Sequence, residues 1–210
     1  MCVGCKTEGA YICQKCSLFI SEASPICPGC WKETVHGRIH SSCSGSLDGF
    51  SCVWEYQGIV AKILQLAKER GIRDAYEEMV ARAFFTMANN EEQFSQFFSL
   101  LCLPHTGISF VPMDKIEEKK RGYNQAKVIS DLIANVLQKE SVPLLQRARN
   151  PENLQDLMEG PFKAKSVQRF ETVVLIDDIW RSGVTMKECA QTLKQAGVRN
   201  VWGFTLARNA

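Results

Sequence analysis

Seven of the ten cysteines lie within the first 43 residues, and most come in pairs separated by two residues. The pairs read C-V-G-C (Cys2, Cys5), C-Q-K-C (Cys13, Cys16) and C-P-G-C (Cys27, Cys30), followed by H-S-S-C (His40, Cys43). One tight turn at this spacing presents two ligands to one ion, and two turns complete a tetrahedron. Eight ligands therefore predict two zinc sites. Consecutive pairing puts Cys2, Cys5, Cys13 and Cys16 in one site, with Cys27, Cys30, His40 and Cys43 in the other. An interleaved pairing satisfies the same count, and His36 is an alternative to His40, which read alone is a plain surface histidine. Four protein ligands leave no open position, which makes the sites structural. C-P-G-C also has the spacing of a redox pair, but no strand-helix-strand pattern surrounds it. With few large apolar residues, this head cannot build its own core. Structural zinc, at about 10–16 kcal/mol, would supply the folding free energy.

The second chemical stretch is V-V-L-I-D-D-I-W-R-S-G-V-T, residues 173–185. A continuous apolar run of this kind predicts a strand buried on both faces. It ends on two carboxylates, Asp177 and Asp178, followed by the small turn Ser182-Gly183-Val184-Thr185. Gly183 permits close backbone approach, and amides at the start of the next helix attract an anion. Acids suited to ribose hydroxyls beside a phosphate cradle point to a phosphorylated sugar. Two other readings compete. The acidic strand resembles a Walker B segment, but no G-x-x-x-x-G-K-[ST] occurs in the chain. The acids also suit a helix N-cap, which leaves the turn residues unexplained.

The elements that must hold these residues follow from periodicity. A strand is expected over 51–56, a helix from Gly58 to Arg70 closed by Gly71, and further helix over 73–101. A short strand is expected over 108–113, ending at Pro112, and an amphipathic helix begins at N-Q-A-K-V-I-S. Residues 146–169 are polar and basic, which predicts a mobile loop or hairpin. Strand 172–176, a helix from about Val184 to Ala196 and strand 200–206 complete the chain. The fold class is α/β with a mostly parallel sheet, preceded by a small zinc-binding module. The expected division is 1–50 for the module and 51–210 for the α/β domain. In such sheets ligands bind beyond the carboxyl ends of the strands.

Residues 173–185 resemble the phosphoribosyl pyrophosphate (PRPP) signature of type I phosphoribosyltransferases. Together with the cysteine-rich head, V-P-M-D-K (111–115) and R-G-Y-N-Q-A (121–126), the order of segments resembles the ComF family, associated with natural competence and DNA uptake. The resemblance implies a Rossmann-like sheet and Mg-dependent transfer of ribose 5-phosphate with release of pyrophosphate. It places Asp177 and Asp178 on the ribose hydroxyls, and Arg181, Ser182, Gly183, Val184 and Thr185 around the 5-phosphate. It places Lys115 near the pyrophosphate loop, and Arg121, Asn124 and Gln125 in a shared motif. A flexible hood falls on residues 147–165, with Arg147, Arg149, Lys163 and Lys165 as its cations, or as ordinary solvated charges. Arg181 and Ser182 stand where most members carry two threonines. Ser182 keeps the hydroxyl, whereas Arg181 argues against a purine base as acceptor.

Two functions are consistent with these residues. One is a phosphoribosyltransferase, its oxocarbenium-like transition state steadied by the acids and by charge neutralisation on the diphosphate. The other is a non-catalytic accessory module of DNA uptake that uses the pocket for sensing or for a nucleic-acid end. Net charge is +2. The head carries Lys6, Lys15, Lys32 and Arg38 against Glu8, Glu22, Glu33 and Asp48, which is no basic stripe. Single-stranded DNA binding is accordingly a weak expectation. No apolar stretch is long enough to span a bilayer, and the N-terminus reads as cysteine pairs rather than a signal peptide, so a cytoplasmic location is expected.

Overall fold

The computed structural model describes residues 1–147 and 160–209. Four strands form one parallel sheet: β1 (Gly49–Glu55), β2 (Thr106–Phe110), β5 (Thr172–Trp180) and β6 (Asn200–Arg208), in the order β1-β6-β5-β2. A two-stranded antiparallel ribbon, β3 (Leu145–Arg147) with β4 (Phe162–Ala164), stands beside it. The helices are α1 (Gln14–Ser17), α2 (Gly58–Arg70), α3 (Asp74–Asn89), α4 (Glu91–Cys102), α5 (Lys115–Arg121), α6 (Gln125–Val136) and α7 (Val184–Gln195).

The sheet is covered on both faces, as a parallel sheet requires. Val174 and Ile176 of β5 pack with Ile63 and Leu64 of α2, Tyr76 and Met79 of α3, and Ile129 and Ile133 of α6. Val173 and Leu175 point the other way, against Met186, Cys189, Ala190 and Leu193 of α7 and against Leu145 and Phe162 of the ribbon. The cysteine-rich head belongs to both layers. Cys2 and Ile12, each fully buried, join the first cluster, whereas Ala23, Ile26 and Leu47 join the second. Glu78 of α3 fastens the head further, accepting from the amides of Tyr11 at 2.8 Å and Ile12 at 2.9 Å. Arg82, paired with Glu78 at 2.9 Å, donates back to the Ile12 carbonyl.

Several boundaries differ from those read in the sequence. β5 continues past Ile176 to Trp180, because the nine-residue β6 supplies partners as far as Arg208. Asp177 therefore lies inside the ladder, opposite Thr205, instead of after its last residue. The helical run 73–101 breaks at Asn90, which is non-helical (φ −127°, ψ 45°). β2 stops at Phe110, ahead of Pro112, which has no amide to donate. Lys115–Arg121 is a helix that periodicity did not reveal, started by Asp114, whose carboxylate accepts from the Ile116 and Glu117 amides. Of the expected 146–169 loop or hairpin, residues 146–147 and 160–169 are described and contain the β3–β4 pairing; Arg149 and the rest of 148–159 lie outside the described residues.

Candidate functional site

The head brings its eight expected ligands together as two separate sets. In Cys2, Cys5, Cys13 and Cys16, and again in Cys27, Cys30, His40 and Cys43, the four donor atoms lie within 4.8 Å of one another. The pairing is consecutive, and His40 takes the fourth place. His36 sits apart on the turn Val35–Gly37, 3.4 Å from the Ser95 hydroxyl.

The donor chemistry fits zinc. A tetrahedron with Zn–S bonds of about 2.3 Å has edges of about 3.8 Å. Cys5 Sγ and Cys13 Sγ are 3.4 Å apart, and Cys30 Sγ is 3.3 Å from His40 Nδ1. The far ring nitrogen of His40, Nε2, donates to the Glu33 carbonyl at 3.0 Å, which leaves Nδ1 as the ligand atom. Amides of Cys13 and His40 donate to Cys2 Sγ and Cys27 Sγ. The Cys13 amide leads in drawing the Cys2 thiol down to about 6, whereas burial and the neighbouring thiols push Cys16 up to about 12. A divalent cation allows all four sulfurs to ionise together.

The acidic pair occupies the carboxyl edge of the sheet. Because side chains alternate along a strand, Asp177 and Asp178 face opposite ways. Asp178 is buried on the α2–α3 side, and Lys68 Nζ of α2 lies 2.6 Å from its Oδ2. Asp177 is half-buried on the α7 side and accepts the Asp178 amide at 2.9 Å. Burial first, and the Asp178 charge second, push the Asp177 carboxyl up to about 8. Burial, with Asp177 nearby, likewise raises the Cys189 thiol.

The second motif lies alongside. The Val111 amide donates to the Ile176 carbonyl at 2.9 Å, which places the turn after β2 next to Asp177. Asn124 has a structural task there: its Nδ2 donates to the Val111 carbonyl at 3.0 Å while its Oδ1 caps α6 by accepting the Lys127 amide. Tyr123 Oη donates to the Ala67 carbonyl at 2.7 Å. Gln125 is buried, and its Nε2 has no hydrogen-bond partner. Arg121 is half-buried at the end of α5, whereas Lys115 is exposed at its start.

Beyond β5, Arg181, Ser182, Val184 and Thr185 are exposed, and Gly183 is buried with φ +69° at the N-cap of α7. No side chain caps this helix, so its first amides point outward unpaired by any cap. Four further residues missing from the sequence reading gather at the same edge. Glu55 and Arg208, ending β1 and β6, are paired at 2.7 Å. Glu55 Oε2, Arg208 Nε and Tyr76 Oη are buried without hydrogen-bond partners. Lys68 is the fourth. None carried a local motif; each is recognisable only once the sheet order is known.

No model of a protein family matches the chain. The chain is 24% identical over 110 residues to a protein named Competence protein F from Haemophilus influenzae. That match covers 47% of this chain and 48% of the relative, so the chain spans about half the length of the curated relative it matches. With the two donor sets, this similarity supports the ComF resemblance. Among the described residues, no helix is long and apolar enough to cross a membrane.

Proposed function

We propose that the chain binds PRPP or a related ribose 5-phosphate at the carboxyl edge of its sheet, and transfers the phosphoribosyl group with release of pyrophosphate. The observation that carries this reading is the placement of two carboxylates, Asp177 and Asp178, together with the uncapped first turn of α7 at that edge. Carboxylates accept from sugar hydroxyls, and free helix amides hold a phosphate. In this proposal Asp177 and Asp178 receive the ribose hydroxyls. The uncapped amides from Gly183 to Thr185, with Ser182 and Arg181, hold the 5-phosphate. Arg121 and Lys115 face the leaving diphosphate, and Gln125 orients the ligand. The C1–O bond breaks with both electrons leaving on pyrophosphate, and the acceptor adds to C1.

Burial holds the Asp177 carboxyl up at about 8, and a cation brought beside it would favour the ionised form. Magnesium, chelated by the diphosphate, would supply charge neutralisation on the leaving group. The zinc-binding head, 1–50, and the sugar-phosphate domain, 51–210, form the two parts of this proposal. The relative's name points to competence as the setting, the ComF resemblance adds DNA uptake, and nucleotide metabolism is the other setting. A second reading, a binding-only module of DNA uptake, is favoured by one observation: Lys68 already neutralises Asp178. Pyrophosphate release from PRPP and Mg²⁺, screened over amine and nucleobase acceptors, separates the two. Turnover abolished by Asp177→Asn supports the enzyme; tight binding without turnover supports the module.

A further inference from the structure

The second metal set lies close to the turn that follows the acids, and two tryptophans lie between them. Trp31 follows the ligand Cys30 directly and is held in a left-handed conformation (φ +66°), its amide donating to the Cys27 carbonyl at 2.9 Å. Its ring centroid is 5.6 Å from that of Trp180, the last residue of β5, with the planes tilted by 59°. Trp180 is 1% exposed and also packs on Phe50 at 4.2 Å. On its other side the indole lies against Gly183. A Cβ built there would sit 2.2 Å from Trp180 Cζ2, so only glycine admits the ring. Lys187, in the first turn of α7, stands 5.7 Å over the same ring, and its amide donates to the Gly183 carbonyl at 2.9 Å.

Close packing transmits position because rigid rings leave no slack between neighbours. The indole of Trp180 is the floor on which the Arg181–Thr185 turn rests, and Trp31 is the wall that keeps the indole in place. Trp31 itself is set by the turn that carries Cys27 and Cys30.

We propose that Trp180 and Trp31 are positioning residues, through which metal bound at Cys27, Cys30, His40 and Cys43 sets the geometry of the Arg181–Thr185 turn. The inference rests on the sugar-phosphate reading for its consequence, but its core is a mechanical link that exists with or without ligand. It gives the head a task beyond holding itself folded.

The test compares wild type, Trp31→Ala and Cys43→Ser, each with zinc content measured. Amide exchange of Lys187 by NMR reports the turn, and exchange at Val174 reports the core of the sheet. Trp31→Ala, with both metals retained, should exchange at Lys187 about tenfold faster while Val174 is unchanged. Cys43→Ser should match it, and Trp31→Phe should restore the wild-type rate. Should Trp31→Ala lose metal, Trp31→Leu, which keeps bulk without the ring, decides in its place. Unchanged Lys187 exchange in the tryptophan variant overturns the link, as does a change confined to Cys43→Ser. That second result would assign the coupling to further contacts between head and α7, such as Ser46 Oγ donating to the Lys187 carbonyl at 2.7 Å and Lys194 paired with Asp48 at 2.6 Å. Mg²⁺–PRPP affinity is measured in parallel. A wild type that binds none, with Lys187 exchange still accelerated by Trp31→Ala, overturns the sugar-phosphate reading alone.

Discussion

Lys68 Nζ lies 2.6 Å from Asp178 Oδ2, joining the last turn of α2 to the acidic end of β5. The pair gives the two adjacent acids unlike surroundings: Asp178 has a cation, whereas Asp177 has the α7 face and no basic partner within ion-pair distance among the described residues.

Replacing Lys68 by Met should destabilise the protein by about 2 kcal/mol, since it strands a buried carboxylate. The figure stays below the roughly 3–5 kcal/mol of a fully buried pair because Lys68 remains one-fifth exposed. Urea unfolding measures it, and Lys68→Met combined with Asp178→Asn should cost less than the sum of the two single changes. Simple additivity would mean that the pair contributes nothing.

The raised Asp177 carboxyl predicts a pH dependence of definite sign. In the unfolded chain the group ionises near 4, in the folded one at about 8. Between those values the native state holds the extra proton, so this contribution is complete at the acid end and is lost as pH rises through 8. Zinc-loaded protein should therefore lose stability from pH 6.5 to 8.5, and Asp177→Asn should flatten that slope. A stability rising over the same interval in wild type but not in the variant contradicts the assignment.

Gly183→Ala combines a left-handed backbone with a Cβ driven into Trp180. A cost of about 2 kcal/mol or more is expected. Calorimetric unfolding checks it, and the same variant should lose Mg²⁺–PRPP affinity. Full stability would show that the indole moves aside freely.

Metal analysis of purified protein should find two zinc ions per chain, one for each donor set. Chelation should do more than unfold the head. Ile12 packs in the same cluster as α2 and α3, so near-ultraviolet dichroism of the α/β core should change as well. A core spectrum indifferent to zinc removal contradicts this coupling.

Local features were legible in the sequence because their causes are local. Two residues between cysteines dictate a turn with two ligands, which made the ligands legible, whereas the consecutive pairing and the choice of His40 over His36 came from the fold. Gly71 ends α2 in the left-handed conformation its position suggested, and the V-V-L-I run is a strand buried on both faces. What stayed hidden depends on partners far along the chain. The length of β5 is set by β6. Lys68 carries no motif, because only the packing of α2 on the sheet brings it to Asp178.

The most direct measurement is calorimetric titration of PRPP with Mg²⁺ into zinc-loaded wild type and into Asp177→Asn with Asp178→Asn. Saturable one-to-one binding is expected, lost by the double variant while its zinc content and fold are retained. No binding by a folded, zinc-loaded wild type, or equal binding by the variant, would contradict it.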